Sequence, residues 1–350
     1  NKIKTIIKRL KNYSIKIENY PIALFPNRFF FRKISLLKIS IFFNYIFFYL
    51  LKLKRFDLVH SRSYFPSYIS VLLNKRNLYE TVFDMRSLLP EESINLNFWQ
   101  KSDSIFKFWK KIEQHTVEKS SYTVTVSENM KDYVNSTYPN KNIINIHLIG
   151  SLENVIFDQI KRNEIRKNLN LDDKNIFLYV GSLDEDTNNN IKNYAQFLND
   201  ITSLDERAFF IFVTPKIMNF HYSYLGKNNT KKNYLLIEGL NPDIFMAADY
   251  GISILNLTHD SDTRFGIKVA EYLSYGLPII IRNVGGAEKV VKSIDAGFVI
   301  DSDQSNINLI KNFLERSFNR EIIINKSEKL FSLKNIANKY LDIYLQKENN

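Results

Sequence analysis

Short apolar runs alternate with longer stretches of helical spacing along the whole chain, which is the pattern of parallel α/β architecture. In the first half, residues 15–20, 56–60, 79–84, 122–127 and 143–148 predict strands, with helices at 102–119 and 128–136. A polar, charged stretch at 162–174 predicts a short helix at a domain junction. The alternation then restarts with strands at 176–180, 209–214, 234–238, 250–255, 278–282 and 297–300, before helices at 306–318 and 333–346. Residues 184–190 are polar and read as an exposed loop. Two domains are therefore expected, at 1–150 and 151–350, with the last helix packing back on the first domain.

Residues 34–51 form an apolar run broken chiefly by Ser35, Lys38, Ser40 and Asn44. The run approaches the length of a spanning helix. Lys38 lies inside it and a strand-like run follows almost at once, so a helix buried under a sheet or lying on a membrane surface is the stronger expectation. The basic flanks Arg28, Arg32, Lys33, Lys52, Lys54 and Arg55, with the enrichment in Phe and Tyr, fit interfacial binding. No secretory signal is apparent.

Composition narrows the class. The 350 residues exceed what one core usually organises, and 45% hydrophobic with 24% charged residues excludes a compositionally disordered chain. The absence of cysteine excludes disulfides, thiolate zinc sites and cysteine nucleophiles, and fits a reducing compartment. Formal charge is 48 − 37 = +11, but residues 1–55 alone hold thirteen Lys/Arg against Glu18. A near-neutral body thus carries a basic, aromatic N-terminal segment, which directs the anionic partner toward a membrane surface rather than nucleic acid.

Glycine is distributed just as unevenly. The first of ten is Gly150, and Gly251, Gly266, Gly276, Gly285, Gly286 and Gly297 crowd one stretch of the second half. Backbone amides approach a phosphate closely where such residues allow it, so a nucleotide is expected there. Residues 260–278 (DSDTRFGIKVAEYLSYGLP) follow an apolar strand and lead through a helix into the next buried strand. Asp262 or Thr263 is expected to cap that helix, and Gly266 to let a ligand reach its first turn. Lys268 and Glu271, three apart, share a face that offers a cation to a diphosphate and a carboxylate to a ribose. A surface ion pair explains the same spacing equally well. Gly285 and Gly286 make a second strand-to-helix turn, and adjacent βα units of this kind point to one site at the carboxyl ends of parallel strands.

The run KVAEYLSYGLPII from Lys268 to Ile280, with Val284, Gly285 and Gly286 and then Ala296, Gly297, Phe298 and Val299, resembles the donor-site region of family 4 glycosyltransferases of the GT-B fold. Tyr179, Val180, Gly181, Ser182 and Leu183, and Ala247, Ala248, Asp249, Tyr250 and Gly251, add to the likeness, which covers most of residues 176–300. The resemblance implies two Rossmann-like domains facing a cleft, with a nucleotide-sugar held mainly by the second. It implies transfer with retention and without an essential metal, so no cofactor is expected beyond the nucleotide-sugar co-substrate. Glu271 matches the second Glu of the family's Glu-x7-Glu motif, expected on the ribose; Thr263 stands where the first would be, which leaves the sugar open. Gly266, with Phe265 beside it, matches the glycine whose neighbouring amides face the donor. Where the family often has a basic pair after the first strand of this domain, Ser182 replaces an Arg and Lys192 is the second candidate, so diphosphate stabilisation leans on Lys268, Arg264 and helix amides. The family's first strand and its glycine loop are not found upstream of Ile15, so the N-terminal domain is expected to lack its first βα unit.

Across the cleft, Asp84, Arg86, Glu91 and Glu92 resemble an Asp-x-Arg…Glu-Glu pattern of some members, and His60 and Arg62 end the preceding strand at a similar height. Asp84 and Arg86 join Lys268 as catalytic candidates; His60, Arg62, Glu91 and Glu92 are acceptor-side candidates. The structural alternative makes Asp84 and Arg86 a strand-end ion pair, Glu91 and Glu92 the first turn of a helix after Pro90, and His60 a satisfied strand-end residue. Ser127 reads as a helix N-cap. Asp260, Ser261 and Asp262 form a DxD, which in another transferase fold chelates a metal, but the Lys-x-x-Glu helix suits a metal-independent site better. The five histidines show no zinc spacing, and no Gly-x-Ser-x-Gly elbow of a hydrolase is present. The expected activity is sugar transfer from a nucleotide-sugar to a lipid-linked surface polysaccharide, at the cytoplasmic face of a membrane bound through residues 28–55. A non-catalytic nucleic-acid- or membrane-binding protein, using Phe29, Phe30 and Phe31 among basic residues, is the alternative.

Overall fold

The structure, a computed structural model, describes residues 33–50, 56–138, 142–146, 155–185, 190–227, 232–256, 258, 261–282, 284–300 and 307–345. Its frame is a pair of parallel sheets. The first holds β1 (Leu58–Arg62), β2 (Glu80–Asp84), β3 (Tyr122–Thr125) and β4 (Ile143–Asn145) in the order β1-β2-β3-β4. The second holds β5 (Asn175–Val180), β6 (Ala208–Thr214), β7 (Tyr234–Glu238), β8 (Tyr250–Ser253), β9 (Ile279–Arg282) and β10 (Gly297–Ile300) in the order β10-β9-β8-β5-β6-β7. All ladders are parallel. The predicted strand at 15–20 lies outside the described residues.

The second sheet is a doubly wound Rossmann arrangement, and its strands are apolar because helices cover both faces. In β5, Ile176, Leu178 and Val180 face one core cluster while Phe177 and Tyr179 face the other, the two-residue alternation a strand imposes. Covering helices include α7 (Ile191–Leu204), whose N-cap Asn190 accepts from the Lys192 amide at 2.9 Å, and α10 (Ile267–Ser274). The helix expected from the charged stretch at 162–174 is α6 (Gln159–Asn168). Its Arg162 donates to the carbonyls of Met246, Ala247 and Ala248 at 2.7–2.9 Å and pairs with Asp249 at 2.5 Å, so its charges pin the helix to the connection between β7 and β8 of the second sheet.

The first sheet is flanked by α1 (Ile34–Leu50), α2 (Tyr64–Leu73), α3 (Leu89–Asn95), α4 (Ser104–Lys119) and α5 (Glu128–Thr137). Helix α1 is buried along Leu37, Ser40 and Asn44 but exposes Ile39, Phe42, Phe43, Ile46 and Tyr49. Among the described residues no helix is long and apolar enough to cross a membrane. Inside this domain, Lys110 pairs with Glu91 at 3.0 Å and with the fully buried Glu113. Tyr64 and Tyr138 also donate to Glu113, and Tyr133 donates to Glu91 at 3.1 Å. Burial raises the Glu113 carboxyl above its ordinary range; it would lower Lys110, but the carboxylates of Glu113 and Glu91 raise it instead. This ion cluster locks α3, α4 and α5 together.

Toward the C-terminus the residues expected as one helix at 306–318 contain the shorter α12 (Ile307–Leu314). A further helix, α13 (Arg320–Phe331), was not read from periodicity; its signal was the cap Asn319, which accepts from the Ile322 amide at 3.1 Å. Helix α14 (Leu333–Leu345) lays Ile336, Tyr340 and Ile343 on Val82, Val124 and Ile146 of the first domain.

Candidate active site

In the second sheet the chain leaves in opposite directions from β5 and β8, and ligands of doubly wound sheets bind outside the carboxyl ends at such a switch point. The β5–β8 ladder pairs Phe177 with Tyr250 and Leu178 with Gly251. Just beyond, the buried Tyr272 hydroxyl on α10 accepts from the Val180 amide at 2.9 Å and donates to the Ile252 carbonyl at 3.3 Å, bridging the two strands. This fixes α10 across the crevice, one residue from Glu271 and four from Lys268.

Lys268 is turned over β5. Its Nζ donates to the Tyr179 hydroxyl at 2.8 Å and sits 4.4 Å from the ring centroid, a cation–π contact. Burial holds the Tyr179 phenol well above its ordinary pKa, so it keeps its proton. That proton goes to the Ser182 carbonyl at 2.7 Å, which leaves an oxygen lone pair for the ammonium. Gly181 (φ 142°) makes the approach possible, because a Cβ there would overlap Lys268 Cε and Nζ. Burial pushes Lys268 down to about 8, against the raising influence of Glu271 and Asp184. Lys268, Glu271, Gly181 and Ser182 are thus brought together. Lys192 instead lies over the Tyr224 ring, 5.6 Å from its centroid.

The segment before α10 differs from expectation. Neither Asp262 nor Thr263 caps the helix: residues Ser261–Thr263 form a 3₁₀ turn, and the N-cap is Gly266, with no side-chain bond. Gly266 has φ −73°, and a Cβ there would meet only Val269 Cγ2 at 3.8 Å, so neither backbone nor packing demands glycine. The Phe265 side chain is buried, 5.6 Å from the Phe331 ring, which leaves only its main chain for a donor. Arg264 pairs with Glu92 of the other domain at 3.1 Å. The close approach expected at the Gly285-Gly286 turn is made by the chain itself. A Cβ on Gly285 (φ 74°) would overlap the Arg264 carbonyl oxygen, and one on Gly286 would lie 3.2 Å from Asn129 Oδ1.

On the first domain, Asp84 lies 3.5 Å from Arg86 and 3.8 Å from His60 Nε2. His60 Nδ1 is 2.6 Å from the Tyr344 hydroxyl and its ring is 5.3 Å from that of Tyr340, both on α14. His60, Arg62, Asp84 and Arg86 therefore gather at the carboxyl end of β1 and β2, where the strand-end ion pair also forms. Glu91 is turned away into the buried cluster with Lys110, while Glu92 reaches the opposite domain. Ser127 caps α5, accepting from the Met130 amide at 3.0 Å. Asp260 lies outside the described residues, and among those described no group of three His, Cys, Asp or Glu could hold a metal ion. The reading from sequence missed Tyr179 and Tyr272 as polar groups, since each occupies a position that periodicity assigns to the core.

No curated protein matches the chain in sequence. Among solved structures it is similar to sucrose-phosphate synthase from Thermosynechococcus elongatus, with a TM-score of 0.66 at 15% identity over 96% of this chain and 83% of that one. A glycosyltransferase from Rickettsia africae gives 0.66 at 17% identity, over 97% and 87%. Anabaena HepE, solved in complex with UDP-glucose, gives 0.64 at 13% identity, over 97% and 88%. These likenesses fix the fold as GT-B. Residues 161–330, which hold the switch point, Lys268 and Glu271, match the family described as glycosyl transferases group 1. That segment belongs to the family, and on it, with the fold of its structural neighbours, the protein is a glycosyltransferase.

Proposed function

We propose that the protein transfers a sugar from a nucleotide-sugar to a lipid-linked surface polysaccharide, with retention and without a metal. The observation that carries the donor half is the partly buried Lys268 ammonium, held on Tyr179 at the switch point beside Glu271. Its charge faces the place where a diphosphate leaving group develops negative charge, and the N-terminal end of α10, which no side chain caps, adds the positive end of the helix dipole. Glu271 accepts hydrogen bonds from the ribose hydroxyls. The acceptor hydroxyl attacks the anomeric carbon from the face the diphosphate leaves. The carbon–oxygen bond to the phosphate breaks as the new glycosidic bond forms, and a phosphate oxygen takes the hydroxyl proton. Asp84, Arg86, His60 and Arg62 bind the acceptor from the first domain. HepE, crystallised with UDP-glucose, supports a uridine donor as the first to try. The test is donor hydrolysis by the full chain against UDP-, GDP-, ADP- and dTDP-sugars, with membrane extract as acceptor source. Turnover of at least one, stimulated by extract, is expected; inertness toward all of them overturns the reading.

The membrane half rests on α1. Its outward Ile39, Phe42, Phe43, Ile46 and Tyr49 are apolar, Lys38 is exposed among them, and basic residues flank the helix in sequence. This composition suits an interfacial helix on an anionic surface and supports a location at the cytoplasmic face, where a lipid-phosphate acceptor is presented. Reversing the charges of Lys38, Lys52, Lys54 and Arg55 is expected to weaken binding to phosphatidylglycerol vesicles at least about tenfold, each basic residue contributing about 1 kcal/mol. Unchanged co-sedimentation refutes this placement.

A further inference from the structure

The segment leading into α10 is held by the other domain. Ser127 Oγ, fully buried, donates to the Thr263 carbonyl at 2.6 Å. Asn129 Nδ2 donates to the Asp262 carbonyl at 3.2 Å and lies 3.4 Å from the Asp262 carboxylate. Arg264 pairs with Glu92 at 3.1 Å. The three contacts fall on consecutive residues, immediately before Gly266 and Lys268. Gly286 completes the joint, since any Cβ there would press on Asn129 Oδ1.

The segment starts from a turn tied at Thr258 and Ser261, where Thr258 N donates to Ser261 Oγ and Ser261 Oγ to the Thr258 carbonyl, both at 2.8 Å. It continues as a single 3₁₀ turn, Ser261–Thr263, with Asp262 N to Thr258 O at 3.4 Å and Arg264 N to Ser261 O at 3.1 Å. Such a piece takes its conformation from what it packs on, and ordering it costs backbone entropy. Ser127 is suited to meet that cost in advance. Its hydroxyl oxygen accepts from the Met130 amide as the cap of α5, so its single proton is left for Thr263. The atom that starts α5 therefore also fixes the approach to α10, and α5 is itself locked to α3 and α4 by the bonds of Tyr133 to Glu91 and Lys110.

We propose that Ser127 and Asn129 of the first domain are positioning residues for the donor: they hold residues 262–264 so that the first turn of α10 and Lys268 are in place before the donor arrives. Glu92 acts with them through Arg264. The inference rests on α10 being the donor helix. Donor affinity is then coupled to the approach of the two domains, although none of these side chains need touch the donor.

Asn129→Asp is the sharpest variant, because it is isosteric, lies near the surface and turns a donor into a charge facing Asp262. In the full chain it is expected to raise hydrogen–deuterium exchange of residues 261–266 about tenfold, and the KM for the panel sugar nucleotide that the wild type hydrolyses fastest by about as much, with kcat within about threefold. Adding Asp262→Asn removes the repulsion and is expected to return both toward wild type, a rescue that general destabilisation would not give. Ser127→Ala should act in the same direction while also loosening the start of α5. Unchanged exchange and KM in both single variants overturn the inference. Lys268→Ala, run alongside, separates the failures. If it impairs hydrolysis while the Asn129 and Ser127 variants do not, the positioning role alone is wrong; if it leaves hydrolysis unchanged, the donor reading falls and this inference with it.

Discussion

Replacing Lys268 by methionine is expected to lower donor turnover about 100- to 1000-fold, the loss typical of removing one preorganised stabiliser of developing negative charge, while leaving Tm unchanged or higher. The two effects separate because the ammonium is held at a cost. Its pKa is depressed to about 8 by burial, so folding does not favour the charge. The folded-state value lies below the unfolded one, so between about 8 and 10.5 the unfolded chain binds more protons. This group therefore adds stability as pH rises through that window, and below it the strained charge persists. Methionine has similar reach and no charge to desolvate. The same value sets the pH dependence of catalysis: kcat/KM reports the free enzyme, and the protonated lysine is the form that meets a diphosphate. It should fall about tenfold per unit above about pH 8 in the wild type, and the methionine variant should lose that limb. A variant with wild-type turnover, or a wild-type profile flat from pH 7 to 10, removes Lys268 from the site.

The sequence shows the frame of this molecule better than its site because the two rest on different information. The strands of the second sheet are continuous apolar runs bounded by polar turns, and local pattern alone marks them. Lys268 and Glu271 are legible as a shared helix face, but spacing cannot tell a surface ion pair from a donor site. What turns Lys268 toward the switch point is that Gly181 lets it lie on Tyr179, a contact between residues 89 apart that no local pattern encodes. Glu91 and Glu92 illustrate the opposite limit. Adjacent and alike in sequence, they diverge because successive side chains at a helix start point about 100° apart. One enters the buried cluster with Lys110, and the other crosses to Arg264. Gly285 and Gly286 were legible as a tight turn, but whether a ligand or the chain itself fills the space they leave depends on where residues 261–264 and Asn129 come to rest.

That distinction gives the second large effect. Gly285→Ala is expected to cost about 2–5 kcal/mol of stability, from a left-handed conformation unfavourable to alanine and overpacking against a fixed main chain. The obstruction is the Arg264 carbonyl oxygen, with the Ser261 carbonyl 3.1 Å from the same point, so no side-chain rotation relieves it. The protein must displace either the turn before α11 (Ala287–Ile294) or the segment that leads into Lys268, and in the latter case donor turnover falls with the melting temperature. Gly266→Ala is the matched control. Its φ is ordinary and its Cβ position open, so its cost is at most about 1 kcal/mol, the disadvantage of alanine at an N-cap. If a donor lies against the first turn of α10, the added methyl occupies ligand space and raises donor KM without lowering Tm. In that case one glycine is required by the chain and the other by the ligand. Thermal melts and donor kinetics on the two variants distinguish them, and a Gly266→Ala protein with wild-type KM places the donor elsewhere than over that turn.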